Sequence, residues 1–190
     1  MSSEQIQKDF QEARDVLDAF TANDSTLEAI VNAGEILVEA LKSGKKIISC
    51  GNGGSMSDAM HFAEELSGKF RDEREAMAAV SISDPAHITC TANDYGFEFI
   101  FSRYVEALGK QGDVLLAIST SGNSANVIKA IESAKGKGMK VVGLTGNDGG
   151  KMASSCDVEI RVPHSGYSDR IQEVHIKIIH SLIHFVELNG

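Results

Sequence analysis

His61 and Glu65 stand four residues apart, and their side-chain types suit both proton transfer and metal binding. Residues at this spacing lie on one face of a helix, within reach of each other. They could share a divalent cation, or act as an acid–base pair on one substrate. An exposed helix face with a solvated Glu64–Glu65 pair has the same spacing, so the local sequence leaves all three interpretations open.

A second group of polar residues follows the apolar run Val114–Ile118 and consists of hydroxyl and amide side chains around one glycine. Its members are Ser119, Thr120, Ser121, Gly122, Asn123 and Ser124. A helical apolar pattern comes next, so free backbone N–H groups and the positive end of a helix dipole would lie beside the hydroxyls. Such a turn predicts a phosphate-binding loop. A serine-capped turn without a ligand is the alternative.

A glycine-rich turn, Gly51–Ser55, repeats this arrangement after an earlier apolar run, Lys45–Cys50. Its glycines allow close approach of the backbone, while Asn52 and Ser55 add polar contacts. The turn lacks the GK[ST] ending of a Walker loop, and it is not a GxGxxG turn. We expect both turns at the carboxyl edge of a parallel sheet, where open α/β folds bind ligands.

Other candidate residues carry weaker local signals. Asn93 and Asp94 lie in a predicted loop, Thr91–Gly96, where Asp94 could meet a ligand as a base or simply form the turn. Gln172 and His180 stand eight residues apart on the C-terminal helix, which places them on adjoining faces. A histidine on a helix is more often structural or exposed than catalytic, so these residues need support from elsewhere.

Strands and helices alternate along the chain, and they must position these residues. We predict strands at Lys45–Cys50, Ala78–Ile82, Val114–Ile118, Met139–Thr145 and Val158–Val162. We predict helices at Ser3–Phe20, Ser25–Lys42, Asp58–Leu66, Phe97–Glu106, Ala125–Ala130 and Asp169–Leu188. This alternation is typical of a parallel sheet covered by helices on both faces.

Length and composition restrict the class of protein. The 190 residues suit one α/β domain, and the net charge of −9 argues against nucleic acid or an anionic membrane as partner. The three scattered cysteines suggest reduced thiols in the cytoplasm. We expect no signal sequence, because the first ten residues are polar, and no membrane span, because no apolar run approaches the required length.

The two helices predicted before the first strand are more than a minimal α/β layer needs. They could simply cover one face of the sheet. Phe10 and Phe20 would give the first helix much apolar surface to bury, however, which favours packing against another subunit.

Five stretches together resemble the phosphoheptose isomerase family of sugar isomerase (SIS) domain proteins. They are SCGNGGS at Ser49–Ser55, DAMHFAEELSG at Asp58–Gly68, TANDYGF at Thr91–Phe97, ISTSGNSANV at Ile118–Val127, and DRIQEVHIKIIH at Asp169–His180. The resemblance covers essentially the whole chain. It implies one SIS domain over residues 1–190, an α/β three-layer sandwich with a flavodoxin-like parallel sheet and extra N-terminal helices. The helices would occupy 1–42, the sheet core 45–162 and the C-terminal helix 169–188.

The resemblance also implies a reaction and its setting. The family interconverts D-sedoheptulose 7-phosphate and D-glycero-D-manno-heptose 7-phosphate, which leads to ADP-heptose and the lipopolysaccharide core. Its members are cytoplasmic homotetramers with zinc as a cofactor, so we expect one zinc ion per subunit and active sites shared between subunits. The sugar phosphate is the expected substrate, with neither nucleic acid nor membrane as a partner.

Residue roles follow from matching the family's motifs to this sequence. The implied metal ligands are His61, Glu65, Gln172 and His180. The implied substrate-binding residues are Asn52, Gly53, Gly54, Ser55, Glu65, Asn93, Asp94, Ser119, Thr120, Ser121, Ser124, Asp169 and Gln172. Glu65 would carry a proton between C1 and C2 through a cis-enediol(ate), and His180 would serve the two oxygens. Lys69 stands where the family is associated with arginine, outside the implied catalytic pair.

Three other functions share this fold and remain open at this point. The chain could be a SIS isomerase for another keto-sugar phosphate, such as a pentulose phosphate. It could be a non-catalytic sugar-phosphate sensor, although it has no basic patch or added DNA-binding module. It could also be an accessory protein of the class associated with replication initiators, which would bind a protein partner rather than turn over sugar.

Overall fold

The computed structural model describes all of residues 1–190 as alternating helices and strands. The strands are β1 (Ile47–Gly51), β2 (Ala79–Ser81), β3 (Val114–Ser119), β4 (Lys140–Gly146) and β5 (Val158–Val162). The helices are α1 (Ser3–Thr21), α2 (Asp24–Lys42), α3 (Gly54–Ser67), α4 (Pro85–Asp94), α5 (Ile100–Leu108), α6 (Ala125–Gly136) and α7 (Ser168–Asn189). Short 3-10 turns occupy Phe97–Phe99 and Gly150–Met152.

The five strands form one parallel sheet in the order β2-β1-β3-β4-β5. Every residue of β1 and β3 is buried, as expected for central strands with helices on both faces. This order is the flavodoxin-like one, and the winding of the chain reverses between β1 and β3. The reversal places the loops that leave β1 and β3 at the crevice where doubly wound folds bind ligands.

Two hydrophobic clusters, one on each face of the sheet, make the fold a three-layer sandwich. On one face α1, α2, α3 and α7 cover the sheet, with Leu37, Phe62 and Ile179 among the buried side chains. On the other face α5 and α6 contribute Phe101 and Ile131. The predicted α/β sandwich with extra N-terminal helices is therefore confirmed.

Several predicted boundaries were wrong: the helix predicted from Phe97 begins as a 3-10 turn, α6 runs on to Gly136, and two further differences lie beside predicted site residues. The predicted loop Thr91–Gly96 is largely helical, because α4 runs from Pro85 to Asp94. Asp84 caps this helix by accepting a hydrogen bond from the His87 backbone N–H at 2.7 Å, and proline suits the first helical turn. The α3 helix also begins at Gly54 rather than Asp58, since Gly53 takes a positive φ of 57° that turns the chain directly into it.

The N-terminal helix α1 packs on α7 and α2 through its C-terminal half, where Val16 and Phe20 are buried. Its other apolar side chains remain uncovered in one chain: Phe10 is 73% exposed, and Ile6 and Leu17 are exposed as well. Neither α1 nor any other helix is both long and apolar enough to cross a membrane.

Candidate active site

Two helices bring three of the four predicted metal ligands, His61, Glu65 and His180, together. Helix α3 carries His61 and Glu65, while α7 carries Gln172 and His180. The helices pack through apolar side chains of one buried cluster, so the polar residues at the border of this contact meet one another. Residues 119 positions apart in the sequence thus become direct neighbours.

The closest approach in this group joins the two histidines. His61 Nε2 lies 2.9 Å from His180 Nε2, and the rings meet edge to face with centroids 5.1 Å apart. Glu65 Oε1 lies 3.6 Å from the same His61 nitrogen. Two imidazole nitrogens and a carboxylate oxygen are donors that zinc prefers, and both His180 and Glu65 approach the same nitrogen of His61. The residues present therefore fit a zinc ion.

Glu64 supports this arrangement from outside the group. Its Oε1 lies 2.9 Å from His61 Nδ1, and the carboxylate is largely exposed. A carboxylate on the far ring nitrogen holds a histidine in the tautomer that presents its other nitrogen to a metal. Glu64, His61 and Glu65 are close enough to share an ion. From the sequence, Glu64 was interpreted as part of a solvated pair. Only its position next to Glu65 indicated a place at the site.

Gln172 reaches the glycine-rich turn after β1. A Cβ atom added at Gly54 would lie 2.5 Å from Gln172 Oε1, so only glycine permits this approach. The side chain of Gln172 therefore lies against the first turn of α3. Ser55, the next residue, is buried in that turn. In this way α7 contacts both ends of the segment that carries His61.

Burial shifts the pKa values of two groups at this site, His180 and Asp58. Burial lowers the pKa of His180, nearby cations add to this effect, and Glu65 opposes it. A neutral imidazole is the form that binds a metal or accepts a proton. Asp58, one turn before His61, is buried with its Oδ2 atom unpaired, and burial raises its pKa to about 6 against the opposing effect of His61. Sequence analysis did not single out Asp58.

The serine-rich loop, residues 119–124, follows β3 at the carboxyl edge of the sheet. The glycine-rich turn follows β1 at the same edge. Ser119 Oγ lies 3.0 Å from Ser124 Oγ, and the Asn123 backbone N–H donates to Ser121 Oγ at 3.2 Å. Although Ser124 occupies the N-cap of α6, its side chain does not cap the helix. Gly122, with φ of 63°, packs its Cα against the backbone of Gly149. Half-buried Thr120 completes the loop. Hydroxyl groups and the helix N-terminus thus surround a position suited to an anion.

Two asparagines join the glycine-rich turn to the serine-rich loop. Asn52 Nδ2 donates to Asn126 Oδ1 at 2.9 Å, and Asn126 Nδ2 donates to Asn52 Oδ1 at 2.8 Å. The Val127 backbone N–H also donates to Asn126 Oδ1. The sequence predicted a role for Asn52 but not for Asn126, whose partner lies 74 residues away.

Three predicted residues have no contact with this group inside one chain. Asn93 and Asp94 lie exposed at the end of α4, where Asn93 Nδ2 donates to Asp94 Oδ1 at 2.7 Å. Asp169, exposed in the first turn of α7, accepts a hydrogen bond from the Arg170 backbone N–H. Lys69 is also exposed and pairs with Glu73 at 2.9 Å. Their side chains are therefore available on the surface of a single chain.

Comparison with known proteins agrees with this geometry. The sequence model of the SIS domain matches residues 10–146. The phosphoheptose isomerase of Pectobacterium atrosepticum is 59% identical over 187 residues, covering 98% of this chain and 97% of the relative. The solved phosphoheptose isomerase of Neisseria gonorrhoeae superimposes with a TM-score of 0.91 at 42% identity, covering 97% and 98% of the two chains. That of Francisella tularensis gives 0.93 at 37% identity, covering 99% and 100%.

The fold and the matched domain define an isomerase of the SIS class. At this level of identity over nearly the full length, the chain belongs to the phosphoheptose isomerase family.

Proposed function

We propose that the protein converts D-sedoheptulose 7-phosphate to D-glycero-D-manno-heptose 7-phosphate. The observation that carries this proposal is the contact of His61 with both His180 and Glu65, in a chain that also has a serine-rich loop at the start of α6. An acid–base group together with an anion site suits a phosphorylated sugar that must lose and regain a proton. Membership of the phosphoheptose isomerase family identifies the seven-carbon sugar.

Glu65 is the base in this proposal. Isomerisation of the ketose begins with removal of a proton from C1, which leaves a cis-enediol(ate), and ends with return of a proton to C2. A positioned carboxylate can take the proton from one carbon and deliver it to the next. His180 is the second member of the proposed pair and would serve the two oxygens, O1 and O2.

The serine-rich loop holds the phosphate at the other end of the sugar. Backbone N–H groups at the start of α6 and the hydroxyls of Ser119, Thr120, Ser121 and Ser124 would donate to the phosphate oxygens. Asn52, Gly53, Gly54 and Ser55 would contact the sugar chain from the neighbouring turn. Binding energy from these remote contacts orients the reacting carbons at Glu65.

We further propose one zinc ion per subunit, held by His61, Glu65, Gln172 and His180. The donor atoms of the two histidines and Glu65 converge, and Glu64 orients His61, which supports this assignment. Zinc bound there would stabilise negative charge developing on the substrate oxygens. A carboxylate has two oxygens, so Glu65 can take part in both binding and proton transfer.

The assembly we propose is a cytoplasmic homotetramer with active sites shared between subunits. The uncovered apolar face of α1, formed by Ile6, Phe10 and Leu17, supports a subunit interface. Asn93, Asp94 and Asp169 lack contact with the site in one chain, and a neighbouring subunit would bring such residues to it. The product would then serve the synthesis of ADP-heptose and the lipopolysaccharide core.

Incubation with sedoheptulose 7-phosphate in deuterated water, with zinc supplied, tests the reaction. We expect a new aldose that carries deuterium at C2, because the proton on Glu65 exchanges with solvent. Aldose without deuterium would still show isomerase activity. It would mean that the proton is transferred without exchange with solvent, or that hydride moves instead. Failure to form aldose would overturn the proposed function in favour of a sensor or a partner-binding protein.

A further inference from the structure

Arg74 lies between the C-terminal ends of α3 and α7, in the segment that follows α3. Its side chain is only 11% exposed. Arg74 Nη2 donates to the Glu65 backbone carbonyl oxygen at 2.7 Å, and Nη1 donates to that of Leu66 at 2.9 Å. These carbonyls belong to the last turn of α3, where no further helical N–H group can reach them. The guanidinium therefore caps α3 at the residue that carries the proposed base.

Glu187 on α7 completes the connection to the second helix. Its side chain is 2% exposed, and its Oε1 lies 3.4 Å from Arg74 Nε. The same oxygen accepts hydrogen bonds from the backbone N–H groups of Arg71 and Asp72, each at 3.2 Å. Glu187 stands seven residues after His180, so both side chains project from the same side of α7. A continuous polar contact thus runs from α7 through Arg74 to the backbone of Glu65.

The arrangement is poorly suited to stability alone. Arg74 Nε and Glu187 Oε2 are both buried without a hydrogen-bond partner. Burying two charges costs much of what their attraction returns, and apolar residues often replace such pairs without loss of stability. What the pair does supply is geometry, because the planar guanidinium donates to the carbonyls of Glu65, Leu66 and Glu75 while its Nε stays 3.4 Å from Glu187 Oε1.

We infer that Arg74 and Glu187 are positioning residues for the active site. They fix the position of the C-terminal end of α3 relative to that of α7, and this fixes the position of Glu65 relative to His180. The inference rests on the proposed roles of Glu65 and His180. It extends them to two residues that touch neither the substrate nor the proposed zinc ion.

The double variant R74M/E187M tests the inference. Replacing both partners avoids leaving a buried carboxylate unpaired, which a single substitution of Arg74 by an apolar residue would do. We expect the variant to fold, to bind zinc about 10–100-fold more weakly, and to lose kcat more than KM, as outer-shell substitutions do. The second variant, Arg74→Lys, keeps the charges balanced but not the planar fork, and we expect it to weaken zinc binding less.

The double variant K46M/D113N, which also replaces both members of a buried ion pair, is the matched control. Lys46 pairs with buried Asp113, where β1 and β3 begin, at the opposite edge of the sheet. We expect loss of this pair to lower the Tm and leave the zinc dissociation constant unchanged. Zinc affinity and kcat at wild-type values in both Arg74 variants would overturn the inference, as would a lowered Tm alone. A wild-type chain that isomerises the sugar but binds no zinc would overturn the metal site and this inference together, leaving the isomerase intact.

Discussion

His61 and His180 face each other with their Nε2 atoms 2.9 Å apart, although they stand 119 residues apart in the sequence. Two neutral imidazoles can approach this closely only if one donates a proton to the other, or if a cation lies against both lone pairs. The nearby Glu65 carboxylate and the Glu64 bond to His61 Nδ1 favour the cation.

We therefore predict that a chelator abolishes isomerisation and that added zinc restores it. His61→Gln should raise the zinc dissociation constant by at least 10-fold, measured by competition with a chromophoric chelator. His184→Gln is the control, since this histidine lies one turn beyond His180 and its ring nitrogens face the Arg71 guanidinium. Equal zinc affinity in wild type and His61→Gln would remove His61 from the metal site.

Glu65→Gln should lower kcat by about 10²–10⁴-fold, the usual contribution of a general base. The amide has nearly the same shape, so circular dichroism should remain that of the wild type. Glu64→Gln provides the control at the adjacent residue. Because Glu64 is not the proposed base, its loss should cost less in kcat. Near-normal turnover in Glu65→Gln would contradict the assignment of Glu65 as the base.

Ser124→Ala should raise the KM for the sugar phosphate by about 10–100-fold, since a hydrogen bond to a charged group contributes about 1.5–3 kcal/mol. The phosphate lies away from the reacting carbons, so kcat should change less. Ser155→Ala removes an exposed hydroxyl that donates to the Lys151 carbonyl, and it should leave both constants unchanged. A fall in kcat at constant KM would contradict the phosphate role.

Gly54→Ala should impair catalysis, because the new methyl group would lie 2.5 Å from Gln172 Oε1 and displace that side chain. Gly136→Ala is the matched control, since a methyl group at the end of α6 meets nothing within 4 Å. We expect at least a 10-fold loss of kcat/KM in the first variant and none in the second. Equal activity would show that Gln172 needs no fixed position.

His175 should make the protein less stable in acid. It is fully buried, its Nε2–H donates to the Thr145 carbonyl, and burial lowers its pKa to about 4. An unfolded histidine titrates near pH 6.5, so between these values only the unfolded chain takes up the proton. The contribution of His175 is present above about pH 6.5 and is lost as the pH falls to about 4, amounting to about 3 kcal/mol.

Urea unfolding of wild type and His175→Gln between pH 7.5 and pH 4.5 measures this effect. Glutamine can still donate to the Thr145 carbonyl but cannot titrate. We expect the free energy of unfolding to fall more steeply with acid in the wild type, and parallel curves would contradict the assignment.

The strands and the chemistry-bearing stretches could be predicted from the sequence because their signals are local. Buried runs such as Val114–Ile118 and the turns after them show their periodicity and residue types directly. The end of α4 could not be predicted, because Asn93 and Asp94 also favour loops and only the cap at Asp84 shows that a helix has begun.

Contacts between residues far apart in the sequence could not be predicted from it. Asn126 matters because of Asn52, and Arg74 because of Glu65 and Glu187, and no spacing in one sequence indicates such pairs. His61 and His180 were brought together only by a family resemblance, since each histidine alone had a commoner structural explanation. Their contact depends on how α3 packs against α7.

The opposite winding on the two sides of β1 and β3 has a consequence for how such a protein can change. After β1 the chain turns toward one face of the sheet to form α3, and after β3 it turns toward the other to form α6. The two departing segments leave a cleft between them whatever side chains they carry. The path of the backbone thus forms the cleft. Substitutions of the side chains that line it can change its ligand while the fold stays the same.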